Sequence, residues 1–336
     1  EAPLRLCSKI ALLHRYPKDR IKETNAAFPY LAAKGMDVLT FKKFDRLSSF
    51  KKFWKSVLWI FYAPYLAGFE WKHYDVIYCD DSFPFYPALV KLISPKSKVV
   101  IRLGDFHLMY HYSGWLYDFL HFFEKIGWMM ADVIIAISKE MAEQVAHETL
   151  RHCEVVLDPV DPWDFMTNGV PQTGIVMFHG LLTRNKNVDV LLEAAALMPE
   201  TDFFIVGGGP DLKRLMSIAP SNVHFQGWVP FKEIKYHIAQ CSVGVALRSD
   251  NPGNEFVVTS PFLQYGVMGK PCLVTRRRVF GDYEWQFSGV QEMVEKLRTL
   301  LARPHEEGQK LKKFVFENHS ADKIAEEIWR ILLQAL

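Results

Sequence analysis

Short apolar, β-branched runs recur along the chain, and most are followed by a stretch with helical spacing. Ile10 to Leu13 is the first run; after a polar break, Ile21 to Lys34 reads as a helix that Gly35 closes. Met36 to Thr40, Val76 to Cys79, Val99 to Leu103, Val133 to Ala136 and Val155 to Leu157 read as further strands. Ser138, followed by Glu140 and Met141 and then apolar positions, reads as a helix N-cap. Strands alternating with helices of roughly 10–15 residues predict parallel pairing through crossovers, hence an α/β sheet.

The alternation breaks at Asp158-Pro159-Val160-Asp161-Pro162 and on through Asn168-Gly169-Val170-Pro171, a stretch rich in turn formers. It then restarts. Ile175 to Phe178, Phe203 to Val206, Val223 to Phe225, Val243 to Leu247 and Cys272 to Thr275 read as strands. The intervening helices are Asn187 to Leu197, Leu212 to Ile218, Lys232 to Ala239 and Phe262 to Met268. Val290 to Leu301 and Ala321 to Leu336 are amphipathic helices. The expected architecture is two Rossmann-like parallel-sheet domains, residues 1–168 and 169–336, with ligands at the C-terminal strand ends in the cleft between them.

Composition narrows the class. A length of 336 residues suits two domains, and 49% apolar with 23% charged residues excludes a disordered, coiled-coil or collagen-like chain. The 40 Lys plus Arg against 38 Asp plus Glu leave +2, which argues against a chain built to hold nucleic acid. Cys7, Cys79, Cys153, Cys241 and Cys272 are scattered, odd in number and without C-x-x-C spacing, so neither a disulfide framework nor a zinc site is expected. Buried thiols in a reducing cytoplasm are the expectation. No signal peptide and no apolar run long enough to span a membrane is legible. The chain begins at Glu1 and not at Met, so the native N-terminus is expected upstream.

The aromatic content, 14%, is the unusual figure. Residues 41–55 read FKKFDRLSSFKKFWK, with Lys42, Lys43, Arg46, Lys51, Lys52 and Lys55 against Asp45 alone. Trp59, Phe61, Tyr62 and Tyr65 follow, and Leu108 to Met130 is a second aromatic stretch. Basic residues interleaved with aromatics fit an interfacial membrane contact over residues 42–66; the same pattern also fits core helices with solvated basic faces.

Three loops in the second half carry candidate chemistry. His179-Gly180-Leu181-Leu182-Thr183-Arg184-Asn185-Lys186-Asn187 joins a strand to a helix. Such a loop gathers backbone N–H groups and the positive helix end beside Lys186, an anion site in which the helix end contributes about 0.3–1 kcal/mol. A plain turn with solvated Arg and Lys fits the same residues. Val206-Gly207-Gly208-Gly209-Pro210 allows close backbone approach by a ligand or a tight turn. It is not a dinucleotide fingerprint, because position 212 is Leu212. The third element runs from Leu247 to Glu255, through the helix beginning near Ser260, to Gly269-Lys270-Pro271.

Together these segments resemble the nucleotide-sugar domain of GT-B glycosyltransferases, specifically the retaining family 4 (group 1). Phe178 to Leu192 is similar to the family's "GRL…KG-D-LL-A" segment, Phe203 to Leu215 to its glycine-rich strand end, and Gly269-Lys270-Pro271 to its "GkP". The first half matches more weakly, at Asp19-Arg20-Ile21 to Val38, Asp132 to Met141 and Val156 to Phe165. The resemblance implies a GT-B fold whose last helix returns to the N-terminal domain.

It also implies roles. Lys186 would hold the donor's phosphates, with Gly180, Gly208 and Gly209 lining the donor loops. The family's Arg after "G" is Leu181 here, so Arg184 is the substitute candidate. Gln264 stands where a ribose-binding carboxylate is usual. The partner carboxylate aligns with Phe256, and Glu255, one residue away, is the candidate for the sugar hydroxyls. In the first half Asp105 and His107 are the candidates that position or deprotonate the acceptor, with His111, His121 and Asp80-Asp81 as runners-up. The family lacks a D-x-D metal site, so no metal and no cofactor beyond a UDP- or GDP-sugar donor are expected.

The implied reaction moves a hexose, with retention, to a glycan or lipid-linked acceptor hydroxyl, by an enzyme in the cytoplasm on the inner face of a membrane. Two alternatives remain: a sugar-nucleotide epimerase, and a GT-B-like partner subunit weakened by Leu181, Phe256 and Gln264.

Overall fold

A computed structural model of the chain describes residues 9–14, 26–40, 73–80, 86–106, 108–109, 112–167 and 174–336. The chain divides into two compact units, Glu1–Asp158 with Asp322–Leu336, and Pro159–Ala321.

In the first unit the described strands are β1 (Ile10–His14), β2 (Asp37–Thr40), β3 (Val76–Asp80), β4 (Lys98–Leu103), β5 (Val133–Ala136) and β6 (Glu154–Val155). All pair in parallel, in the order β2-β1-β3-β4-β5-β6. Every residue of β3 is buried, as is every residue of β4 after Lys98. Such continuous burial belongs to parallel strands covered on both faces. The described helices are α1 (Phe28–Ala33), α2 (Tyr86–Ile93), α3 (Gly114–Met130) and α4 (Lys139–Thr149). Ser138 caps α4 as its sequence predicts, its Oγ accepting the Met141 N–H at 3.1 Å.

The second unit contains β7 (Ile175–His179), β8 (Asp202–Val206), β9 (Val223–Gly227), β10 (Val243–Ala246), β11 (Cys272–Thr275) and β12 (Gln286–Phe287). These also pair in parallel, in the order β12-β11-β10-β7-β8-β9. This is the doubly wound order of nucleotide-binding sheets, and strand succession reverses between β7 and β10. Helices α5 (Asp189–Ala196), α6 (Leu212–Ile218), α7 (Ile234–Gln240), α8 (Ser260–Val267), α9 (Val290–Ala302) and α10 (Pro304–Asn318) accompany the sheet.

The last helix, α11 (Ala321–Gln334), returns to the first unit as expected. Its Ile324, Ala325, Ile328, Ile331 and Leu332 join the core formed by Ile10, Leu12, Val76 and Tyr78. Their spacing is that of one helical face.

The boundary lies between Asp158 and Pro159 rather than near residue 168. The turn formers after Pro159 are tied into the second unit. Val160 bridges Ser320 and accepts the Ala321 N–H, while Phe165 packs edge-on against Phe231. The described cysteines Cys79, Cys153, Cys241 and Cys272 are buried. Among the described residues no helix is long and apolar enough to cross a membrane.

Candidate functional site

The loops that leave β7 and β10 meet at the reversal of strand order, where sheets of this order form their ligand crevice. Hydrogen bonds brace the two loops as one piece. The Ser249 N–H donates to the Asn185 carbonyl at 2.9 Å, and the Ser249 hydroxyl to Asn185 Oδ1 at 2.5 Å. Asn254 Nδ2 donates to the Ser249 carbonyl at 2.8 Å. The β7 loop forms a 3-10 turn over Arg184–Lys186, and Asn187 ends it in the left-handed region with φ 50°. Asparagine tolerates that conformation better than most residues. The turn delays α5 to Asp189, two residues later than the sequence pattern suggests.

The glycine run after β8 lies against this loop. Gly180 N–H donates to the Val206 carbonyl at 3.0 Å and Leu182 N–H to the Gly208 carbonyl at 2.9 Å. A Cβ at Gly207 would sit 1.9 Å from the Gly180 oxygen, and one at Gly209 2.3 Å from the Leu182 oxygen. Both glycines have positive φ, +150° and +153°. At Gly207 and Gly209 the close approach is made by the Gly180–Leu182 backbone rather than by the ligand or tight turn expected of this run. Gly208, between them, faces the exposed Trp228.

Polar side chains gather on this edge. His179, the last residue of β7, is buried, with its ring edge-on to Tyr265 at 5.0 Å. Burial, and then the nearby Lys186 ammonium, push its imidazole down to about 3. Lys186 is half-buried. Arg248 follows β10, its N–H bonded to Thr275 Oγ1 at 3.1 Å and its buried Nε without a partner. Thr259 is the N-cap of α8, 3% exposed, and its Oγ1 bonds nothing. His179, Arg248 and Thr259 escaped the sequence reading. The legible signal was a histidine closing an apolar run and a hydroxyl directly before Ser260-Pro261.

The remaining sequence candidates divide. Arg184 is largely exposed, and its Nε lies 3.5 Å from Asp211. Asp211 is already held with Asp189 by the guanidinium of Arg214, through four bonds of 2.6–2.8 Å. Those bonds keep both carboxyls below the usual carboxylate range. Glu255 turns to the loop after β11. Its Oε2 accepts the Arg278 N–H at 2.9 Å, and its Oε1 lies 3.6 Å from Arg277 Nε. The same Arg277 donates to the carbonyls of Arg248 and Ser249 and to Asp250, fixing the β10 loop. Gln264 is half-buried on α8, directly before Tyr265, and Phe256 is buried.

In the first unit Asp105 follows β4 and is half-buried. Asp80 is a scaffold residue: Arg102 bonds it at 3.2 Å and Asp158 at 2.5 Å, and Tyr78 donates to Asp80 at 3.4 Å. His121 is clamped between Glu124 and Glu148. His107, Asp81, His111 and residues 42–66 lie outside the described residues. Among the described residues no group of three or more His, Cys, Asp and Glu is arranged to hold a metal.

Residues 173–333 match the family described as Glycosyl transferases group 1. Solved structures match almost the whole chain at low identity. HepE from Anabaena, in complex with UDP and glucose, aligns with a TM-score of 0.74 at 15% identity, over 97% of this chain and 99% of that one. Sucrose-phosphate synthase from Thermosynechococcus elongatus aligns with a TM-score of 0.76 at 13% identity, over 98% and 99%. A glycosyltransferase from Rickettsia africae aligns with a TM-score of 0.69 at 12% identity, over 98% and 99%. These likenesses establish the GT-B fold. No curated protein sequence matches the chain significantly.

Proposed function

We propose, from the premise that this chain belongs to the group 1 glycosyltransferases through residues 173–333, that it moves a hexose from a UDP- or GDP-sugar to an acceptor hydroxyl with retention and without a metal. One observation carries the donor half of this reading. The loop after β7, which carries Lys186, is hydrogen-bonded to the loop after β10, which carries Arg248, and Thr259 at the start of α8 keeps a buried hydroxyl with no partner. Cations, a helix N-terminus and an unpartnered hydroxyl suit a diphosphate. The UDP and UDP-glucose complexes of HepE support the same ligand class.

In this mechanism the bond from the anomeric carbon to the diphosphate breaks and its electron pair leaves on the diphosphate. Lys186 and the α8 N-terminus stabilise that charge, the largest to develop. The acceptor oxygen bonds the same face of the anomeric carbon, and its proton passes to a base; Asp105 and His107 are the candidates. Gln264 bonds the ribose. Glu255 acts through the loop it pins together with Arg277.

The acceptor is proposed to be a glycan or a lipid-linked group, with membrane contact by the first unit. Support comes from α3, whose exposed face bears Trp115, Phe119, Phe122, Phe123 and Met129. Co-sedimentation with anionic vesicles, lost at high salt, is the expected result; no pelleting at low salt removes this part.

Lys186→Ala tests the donor site. Turnover should fall about 10²–10³-fold, the scale set by losing one donor to a developing anion, with an unchanged melting temperature. Full activity in that variant, or no thermal shift of the wild type with any UDP-, GDP- or ADP-sugar, overturns the reading.

A further inference from the structure

One buried polar side chain at the strand-order reversal has no structural task. His179 is 6% exposed, and its Nε2 has no hydrogen-bond partner. Alternation along β7 puts it on the same face as Met177, toward α8. Tyr265 covers it edge-on at 5.0 Å, but the tyrosine hydroxyl donates its proton to the Met177 carbonyl at 2.8 Å. A histidine that serves packing alone bonds its nitrogens inside the protein, as His121 does with two carboxylates at 2.6 Å. Buried polar atoms are so regularly paired that an exception beside ligand-binding loops needs a cause.

We propose that His179 is a donor-binding residue, its Nε2–H donating a hydrogen bond to the diphosphate of the nucleotide sugar beside Lys186. This rests on the donor reading given above. The chemistry favours a neutral donor at this position. Burial and Lys186 hold the imidazole near 3, so at neutral pH the ring carries one N–H and no charge. A second cation beside Lys186 would repel it in the free protein, whereas a neutral N–H adds a donor without that repulsion. As the anomeric C–O bond breaks, the electron pair settles on the diphosphate and the N–H···O bond strengthens. The proton stays on Nε2 throughout, so the step needs no other reactant.

The test is calorimetric titration of the full chain with UDP, GDP and ADP, using wild type, His179→Val and His179→Asn. Long-range proton–nitrogen spectra of the imidazoles accompany it, with His179 assigned by its loss in the variants. His179→Val should weaken the nucleotide that wild type binds about 10-fold, equivalent to about 1.4 kcal/mol. His179→Asn, which keeps an N–H, should recover part of that loss, and the wild-type Nε2 resonance should move on binding. An unchanged Kd in His179→Val with an unmoved Nε2 resonance overturns the proposal. If the valine variant does not fold, the wild-type resonance decides alone. Failure of wild type to bind any of the three nucleotides overturns the donor reading and His179's role with it, a result distinct from an unchanged Kd.

Discussion

Two buried histidines, one in each unit, have opposite electrostatics. His121 on α3 and His179 at the end of β7 are almost equally buried, 7% and 6% exposed. Burial alone would push His121 down, but its bonds to Glu124 and Glu148 outweigh burial and raise it to about 9. His179 has no such partner, and burial and Lys186 lower it to about 3. Residue type and depth do not separate the two; their partners do. The sheet edges repeat the contrast. At the C-terminal ends of β3 and β4, Arg102 forms ion pairs inside the protein with Asp80 and Asp158, while its Nε, like that of Arg248, has no hydrogen-bond partner. At the C-terminal ends of β7 and β10, Arg248 Nε, Thr259 Oγ1 and His179 Nε2 lack partners. Ion pairs closed within the protein build scaffold, and unsatisfied polar groups that cluster at a strand-order reversal are the groups to test for ligand binding.

The sharpest way to break this contrast is at Arg102. Arg102→Leu removes the guanidinium that pairs with Asp80, which is completely buried. Removing one member of a buried ion pair costs about 3–5 kcal/mol, so chemical denaturation should show a large loss of stability. Adding Asp80→Asn should restore much of it, because the uncompensated charge is gone. A loss below about 1 kcal/mol in Arg102→Leu would mean that the cluster is not scaffold in the sense of a buried pair.

Gly207→Ala probes the other edge with a smaller expected effect. Positive φ and a Cβ 1.9 Å from the Gly180 oxygen leave an alanine no room without moving the β7 loop. Strain of this kind costs about 1–3 kcal/mol. Because the strained loop carries Lys186, the variant should lose nucleotide affinity along with thermal stability. Gly281→Ala is the control, since nothing lies within 4 Å of its Cβ while its φ of +48° imposes backbone strain alone. It should lower stability and leave nucleotide affinity intact.

Sequence periodicity reached most of the strands because buried parallel strands are continuous apolar runs. Val133–Ala136 and Cys272–Thr275 match their expected limits. It missed β12, whose Gln286–Phe287 pair is too short to carry a period, and α10, whose first turn is His and Glu after Pro304. The loop positions of Gly180 and Lys186 were legible because glycine and lysine between a strand and a helix have few other uses. The destinations of Arg184 and Glu255 were not. Arg184 stays largely exposed with its Nε 3.5 Å from Asp211, Glu255 accepts the Arg278 N–H and lies 3.6 Å from Arg277, and spacing does not report contacts so distant in sequence. His179 was invisible for the converse reason, since an unpartnered atom shows only once every neighbour is in place.

The last test returns to the two histidines. His121 has a folded-state value near 9 against an ordinary 6.5, so its contribution to stability is complete below pH 6.5 and disappears as pH rises through about 9. The groups around it do not mask that window. Glu124 and Glu148 are carboxylates, Lys125 lies 3.9 Å from Glu148, and the stacked Tyr117 is pushed up to about 12. His179 has the opposite sign. Its value falls to about 3, so the folded state loses stability relative to the unfolded as pH drops below 6.5 toward 3. Urea midpoints measured from pH 4 to pH 10 should therefore decline at both ends. His121→Gln should flatten the alkaline decline and leave the acid one, and His179→Val should do the reverse. If His121→Gln keeps the full alkaline decline, the carboxylate clamp is not what holds α3 to α4, and the contrast between the two histidines reduces to one of position.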